Sequence, residues 1–337
     1  MKFAWLCSHE SFQPEDLVDQ AVLAEHAGFD MVTGADHFHP WVDDRSAASF
    51  VWTWFGAVAQ ATTRVELATS VTTPLFRYHP ALIAQAAATV DRLSGGRFRL
   101  GVGTGEAINE VPLGHAFPGY AERIARMAEA VRIMASLLAG EKLDFEGVYY
   151  TCQSAKLYSL PAGHVPIWMA AGGPKSAAFA GENADGLITS VKNPADALEK
   201  VIEPYRSAAT ARGAATSVLA TRWVVLAGDD DEAWAALAPM RGLRAPGRLE
   251  VADPMILRQR ADAMDRSEIL AQYSIVRDVD DLVDAYRPLV SDVGADYVAI
   301  QVASVDPMST IAMLGSDALP RLRELASEAD GHTHSQT

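Results

Sequence analysis

Proton transfer near neutral pH needs a histidine or a carboxyl group held against the reacting atom. The densest polar and aromatic run in the sequence, Asp36-His37-Phe38-His39-Pro40-Trp41, supplies a histidine at His37. A hydroxyl whose carbon gives up a hydride must also give up its proton, which makes His37 a candidate base. Trp41 offers an indole wall and a single N–H donor to shape a substrate pocket. Asp36 is a candidate to orient His37 or to bind the edge of a cofactor. With Asp43 nearby, His37 and His39 also admit a metal reading. No HExxH pattern accompanies them, and no metal is expected. Glu10 and Glu106 form a second pair, each following an apolar run that reads as a strand. A buried carboxylic acid can keep its proton to higher pH and then donate it. Paired carboxylates also cleave glycosides, so a cofactor-free glycoside hydrolase is a distinct alternative. Plain structural readings stand beside these: His37 capping a turn, and Glu10 and Glu106 facing solvent.

The run Gly101-Val102-Gly103-Thr104-Gly105-Glu106 is rich in the residue that allows close backbone approach. It is not a dinucleotide fingerprint, because Glu106 stands where GxGxxG needs its last glycine. It also falls at a fourth strand rather than in an opening βαβ unit. A GxxxxGK[ST] loop is absent as well. The glycines fit either close approach to a flat or phosphate-bearing ligand or a tight turn.

Something must bring residues 10, 37 and 106 together, and the spacing of apolar runs supplies it. Strands are expected over 2–6, 30–34, 65–71, 97–101, 165–170, 186–189, 219–226 and 297–301. Helices are expected between and after them, over 14–27, 47–62, 80–93, 120–138, 174–182, 194–212, 278–290 and 307–326. A hairpin over 142–151 turns at Glu146-Gly147. Eight strands separated by helices predict a single α/β domain over 1–330, a (β/α)8 TIM barrel rather than an open doubly wound sheet. The rhythm breaks over 227–275, where Pro239, Gly242, Pro246, Gly247 and Pro254 interrupt short helical pieces. This stretch reads as an insertion between late barrel elements that covers one end. Residues 331–337 read as a flexible tail. Active sites of such barrels lie at the C-terminal ends of the strands. Glu10, His37, Ser70, Glu106, Gly172, Gly173, Thr189 and Lys192 are therefore expected to converge on one opening.

The chain has 337 residues, 49% hydrophobic and 21% charged, which suffices for a large core and is too apolar for disorder. Its 28 basic and 43 acidic residues leave a net charge of -15. That balance opposes a nucleic-acid backbone or an anionic membrane as partner, although a local basic cluster can still take a small anion. No apolar stretch has the length of a membrane span, and the N-terminus lacks the long apolar run of a secretory signal. A cytoplasmic protein is expected. Two cysteines, Cys7 and Cys152, are too few for a disulfide framework.

Taken together, five segments resemble the luciferase-like flavin/F420 superfamily, and more closely its F420-dependent glucose-6-phosphate dehydrogenase group. They are Ala35-Asp36-His37-Phe38-His39-Pro40-Trp41, Ser70-Val71-Thr72-Thr73-Pro74, Phe76-Arg77-Tyr78-His79-Pro80, the run from Gly101 through Glu106-Ala107-Ile108-Asn109-Glu110, and Ala170-Ala171-Gly172-Gly173-Pro174. The resemblance covers roughly residues 1–328 and is weakest over 227–275. It implies a (β/α)8 barrel, a homodimer and coenzyme F420, with the deazaflavin in the C-terminal opening and the lactate-phosphate-glutamate tail extending outward. By the same resemblance Asp36 contacts the deazaflavin head, and Ser70 and Val71 form a non-prolyl cis peptide that buttresses the ring. Thr104, Gly105, Glu106, Asn109, Ala171, Gly172 and Gly173 match cofactor-side positions.

The resemblance also distributes the chemistry. His37 matches the active-site histidine and Trp41 a residue near the reacting sugar. Glu106 matches the acid that protonates the cofactor nitrogen, and Glu10 a further carboxylate in proton transfer. Thr189 and Lys192 match the first half of a phosphate pocket, and Arg248 falls at or near a later lysine. The arginine expected to complete that pocket is Tyr273 here, with Arg244, Arg248, Arg258 or Arg260 available to compensate. A missing fork of five donors matters for phosphate recognition. The implied reaction moves hydride from C1 of a sugar or sugar phosphate, glucose 6-phosphate among the candidates, to F420. The alternatives are an F420-dependent dehydrogenase or reductase of another alcohol or carbonyl, a flavin-dependent monooxygenase, the hydrolase, and a non-enzymatic ligand-binding barrel.

Overall fold

Short apolar runs buried on both faces form parallel strands under a layer of helices. A computed structural model describes residues 1–334 in this way, with side chains through residue 329. Four strands open the chain: β1 (Lys2–Cys7), β2 (Met31–Gly34), β3 (Glu66–Thr69) and β4 (Phe98–Val102). The hairpin β5 (Leu143–Glu146) and β6 (Thr151–Ala155) stands apart as a two-stranded sheet. Then follow β7 (Ile167–Ala170), β8 (Gly186–Ser190), β9 (Ser217–Leu226), β10 (Ser274–Val276) and β11 (Tyr297–Ala303). β1 to β4, β7 to β9 and β11 pair in parallel in chain order. β11 returns to β1 with Lys2 opposite Tyr297, closing the eight-stranded barrel.

The expected (β/α)8 barrel is therefore present, with one strand more than expected. β10 extends the sheet outward by pairing Ser274 with Val224, which the ten-residue β9 permits by outrunning the barrel wall. Two apolar layers hold the molecule. Between strands and helices lie Phe3, Trp5, Phe29, Phe55, Phe98 and many aliphatic side chains, each worth about 1.5–3 kcal/mol when fully buried. Inside the barrel a smaller cluster joins Met31, Trp168, Ile188, Leu219 and Tyr297. Below it Glu66 accepts from Lys2 at 2.7 Å and from Arg99 at 2.7 and 3.1 Å. Arg99 also lies 5.5 Å over the Trp168 ring. The N-terminal end is thus plugged, and the C-terminal end is left for chemistry.

The stretch expected as an insertion forms helical pieces at Asp230–Leu237, Ala238–Arg244, Arg248–Glu250, Pro254–Asp262 and Arg266–Leu270. Met240, Ala245, Val251, Leu257, Ala261 and Ile269 pack with Trp41 and Ile108, so the insertion sits on the loops after β2 and β4. Buried Arg241 fastens it by pairing with Asp44 at 2.7 Å and Asp262 at 2.8 Å. Gly242 is needed there, since a Cβ would stand 2.1 Å from the Trp41 carbonyl oxygen.

Some boundaries differ from the sequence reading. The helix expected over 47–62 is Val51–Ala61. The second hairpin arm begins at Thr151, because the Glu129 carboxylate takes the N–H groups of Val148, Tyr149 and Tyr150 out of any ladder. The closing helix is divided by a π-turn at Leu314–Ala318 and continues as Leu319–His334. The part of the expected tail over 331–334 is therefore helical, and 335–337 lie outside the described residues. Cys7 and Cys152 are buried free thiols.

Candidate active site

β1, β2 and β4 end at one rim, and polar residues just beyond them meet there. His37 Nε2 lies 3.3 Å from Glu10 Oε1 and 3.7 Å from Glu106 Oε2. Its other ring nitrogen, Nδ1, lies 3.1 Å from the His39 carbonyl oxygen. A carbonyl only accepts, so Nδ1 carries the hydrogen and Nε2 is the open nitrogen. A proton taken up at Nε2 has a carboxylate on each side. The His37 ring packs 5.2 Å from that of Trp41, which is buried. Arg248 lies over the Trp41 ring at 5.3 Å, and its Nη1 donates to Glu106 Oε1 at 3.0 Å. Four residues expected to carry the chemistry, His37, Glu10, Glu106 and Trp41, are thus brought together, with Arg248 added to them. Beside Glu10, His9 is fully enclosed against Ser49 and the Trp54 ring. Burial, with a contribution from His37, pushes the His9 imidazole down to about 3, so it stays neutral.

Behind the rim a buried charge network joins two loops. Asp36 turns its carboxylate inward, accepting from Thr72 at 2.5 Å and Tyr78 at 3.3 Å, with Arg77 Nη2 at 3.0 Å. Arg77 also donates to the carbonyls of Asp36 and Asn109, and its backbone N–H donates to Glu110 Oε2. Asn109 Oδ1 accepts from the Phe38 N–H at 2.9 Å. Asp36 and Asn109, expected beside a cofactor, engage these polar atoms within the protein itself. Two carboxylates share one guanidinium here, with almost no water access to any of the three. Asp36 has the closer cation and two hydroxyl donors. Glu110 Oε1 stands 3.6 Å from Arg77 and has no hydrogen-bond partner. Burial pushes the Glu110 carboxyl up to about 7.

On one side of the mouth, β3 stops ahead of a cis Ser70–Val71 peptide, the geometry implied by the resemblance. A methyl at Gly103 would stand 2.6 Å from Val71 Cγ2, so glycine lets this turn lie against β4. Gly172 and Gly173 are the opposite case. A Cβ at either would meet nothing within 4 Å, and neither has positive φ. The fold does not require glycine at these two positions. With Ala171 they leave a bare backbone ledge at the start of the helix Pro174–Asn183, a place suited to a flat or anionic ligand.

A cluster of cations, Lys192, Arg244 and Arg248, gathers from the segments after β8 and β9. Thr189, next to the last residue of β8, has its hydroxyl buried and without a hydrogen-bond partner. Arg222 on β9 donates to the carbonyls of Val191 and Lys192, fixing the backbone that carries the Lys192 ammonium. The Arg244 charge, then partial burial and Arg248, hold that ammonium below the ordinary lysine range. Tyr273, at the position of the expected arginine, stacks under the Arg244 guanidinium at 4.8 Å and beside Trp223 at 5.9 Å. Of the four arginines available to compensate, two are engaged elsewhere. Arg258 pairs with Asp43 and Arg260 donates to the Pro246 carbonyl. Arg244 and Arg248 remain to face Lys192. Sequence reasoning assigned no role to Arg77, Glu110 or Arg222. The available clue for the first two was that both lie within the segments that carry the family resemblance.

Among the described residues, no group of three or more His, Cys, Asp or Glu is arranged to hold a metal ion, and no helix is long and apolar enough to cross a membrane. Residues 1–287 match the family model described as luciferase-like monooxygenase. Two similar sequences are named F420-dependent glucose-6-phosphate dehydrogenase. That of Mycolicibacterium gilvum (strain PYR-GCK) is 38% identical over 333 residues, 96% of this chain and 99% of that one. That of Nocardia farcinica (strain IFM 10152) is 37% identical over 334 residues, 97% and 99% of the two chains. A solved structure described as an F420-dependent secondary alcohol dehydrogenase in complex with an F420-acetone adduct superposes with a TM-score of 0.88. It is 31% identical in sequence, and the match covers 96% of this chain and 99% of that one.

Proposed function

The chain belongs to the luciferase-like monooxygenase family, and on that premise we infer that it is an F420-dependent oxidoreductase that dehydrogenates an alcohol. The observation that carries the reading is His37 Nε2, open and flanked by Glu10 and Glu106 at the barrel mouth. The surroundings fit the cofactor: Ala171, Gly172 and Gly173 leave a bare ledge after β7, and Ser70, Val71, Thr104 and Gly105 lie on the turns after β3 and β4. Those residues would hold F420, with Asp36 and Asn109 bracing the loops behind it. F420, when bound, supplies the hydride acceptor.

The protein's part is to orient the alcohol and to move protons. His37 Nε2 receives the hydroxyl proton, and the Glu10 and Glu106 carboxylates stabilise the imidazolium that forms. Trp41 walls the substrate on the side of His37, which limits its approach to one face. Glu106, 3.7 Å from His37 Nε2, would then take the proton on from His37 and return it on the cofactor side.

The cation cluster favours an anionic substrate, and a sugar phosphate with a C1 hydroxyl fits it best, glucose 6-phosphate first. Thr189, Lys192, Arg248 and Arg244 would take the phosphate oxygens. Tyr273 and Trp223 favour a second reading, an alcohol without phosphate, because they put aromatic surface where a further cation is expected. A homodimer is part of the proposal, and light scattering on the purified protein tests it. The deciding experiment follows F420 absorbance with glucose 6-phosphate, glucose, other sugar phosphates and simple alcohols. Bleaching with the phosphorylated sugar alone supports the first reading, and bleaching with simple alcohols alone supports the second. Flavin in place of F420 in the purified protein, or glycoside cleavage without cofactor, overturns both.

A further inference from the structure

Arg248 stands between two sets of charges. Its Nη1 bonds Glu106 Oε1 at 3.0 Å, and both side chains are 30% exposed. It also lies near Lys192 and Arg244, and the ion pair found in this cluster of three cations is the one to Glu106. Like charges gathered in this way attract an anion, and a partly exposed ion pair is held only weakly. A phosphate offers the guanidinium several oxygens and would have Lys192 and Arg244 beside it, and Thr189, three residues before Lys192, keeps a hydroxyl without a partner.

We propose that Arg248 is a transferable cation, paired with Glu106 in the free protein and drawn to the anionic group of the substrate when that group binds. The inference rests on reading this cluster as an anion subsite. Its consequence is a coupling between recognition and proton transfer. While it is bonded to Glu106 Oε1, Arg248 occupies the oxygen through which that carboxyl group could pass a proton. By taking Arg248 away, the anion leaves Glu106 facing His37 and Glu10, ready to carry one. Arg248 is then a positioning residue, and an uncharged alcohol leaves the Arg248–Glu106 pair closed.

The test titrates the F420-loaded protein with inorganic phosphate by calorimetry, so that the cofactor seat is already filled. Lys192→Ala should weaken phosphate binding at least tenfold. Glu106→Gln should tighten it about three- to fivefold while Arg248 is present, since the competing carboxylate is gone. In an Arg248→Ala background the same Glu106→Gln change should have no effect, and in Arg248→Lys it should regain part of it. Equal tightening with and without Arg248 would mean a simple field effect and would overturn the transfer. So would no tightening in either, and both results leave the subsite itself intact. Phosphate binding that is absent, or indifferent to Lys192→Ala, removes the anion subsite and this inference with it.

Discussion

At the scale of single residues, the barrel mouth pairs one open imidazole nitrogen with two carboxylates. Replacing His37 by Ala should lower kcat by about 10²–10⁴ while changing KM little, the signature of a lost proton acceptor. Steady-state kinetics with F420 and the best donor alcohol check this, and an unchanged kcat would place the base elsewhere. Glu110 and His9 make a prediction about stability. The Glu110 carboxyl rises from 4.5 to about 7 on folding. Between those values the folded protein binds more protons than the unfolded one, so this group's contribution falls as pH rises from 4.5 to about 7. His9 drops from 6.5 to about 3, so its contribution is present above 6.5 and is lost as pH falls toward 3. The two oppose each other between 4.5 and 6.5. Glu110→Gln leaves the His9 slope alone. The melting temperature of the variant should therefore gain on that of the parent as pH is raised from 4.5 to 7, and parallel profiles would contradict the assignment. None of this was legible in the sequence beyond the rim residues themselves. His37, Glu10 and Glu106 stand out as polar residues directly after apolar runs. Arg77 and Glu110 meet across 33 positions of chain, and no local pattern reports that such a pair is buried.

At the scale of elements, the loops after β2 and β4 carry His37 and Glu106, and Arg77 ties them together. Arg77→Met would leave the Asp36 carboxylate buried without its cation, a change that costs about 3–5 kcal/mol in comparable buried pairs. Urea unfolding measures it, and a loss below about 1 kcal/mol would show that the network contributes little. Gly103→Ala pushes a methyl toward Val71 Cγ2, so F420 should bind at least tenfold more weakly in a fluorescence titration while the far-ultraviolet dichroism stays the same. Unaltered affinity would separate the Ser70–Val71 turn from the cofactor seat. The eight barrel strands were readable because each is an apolar run between helix-spaced segments. β10 was not, because three residues are too few to show a period and its place depends on β9 running past the barrel. The choice among four arginines was closed to sequence for a similar reason. Asp43 and the Pro246 carbonyl claim two of them only once the chain has folded.

At the scale of the whole molecule, the barrel and its cap differ in how deeply they are built. The strands lie between two apolar layers, whereas the cap rests on a smaller cluster and the ion pairs of Arg241. Local opening follows such differences. Hydrogen exchange should therefore be faster over 238–270 than in β1 to β4, and phosphate should slow it in the cap while leaving the strands unchanged. Uniform exchange across both would mean that the cap and barrel open as one body. The cap's apolar underside nevertheless packs on Trp41 and Ile108, which belong to the loops after β2 and β4, and Gly242 lies against the Trp41 backbone. In engineering terms, cap and loops form a single unit, and a cap exchanged without the loops would have to be refitted to Trp41 and Ile108. Substituting Arg244 or Arg248 would therefore change the charge facing Lys192 while the packed surface beneath is kept.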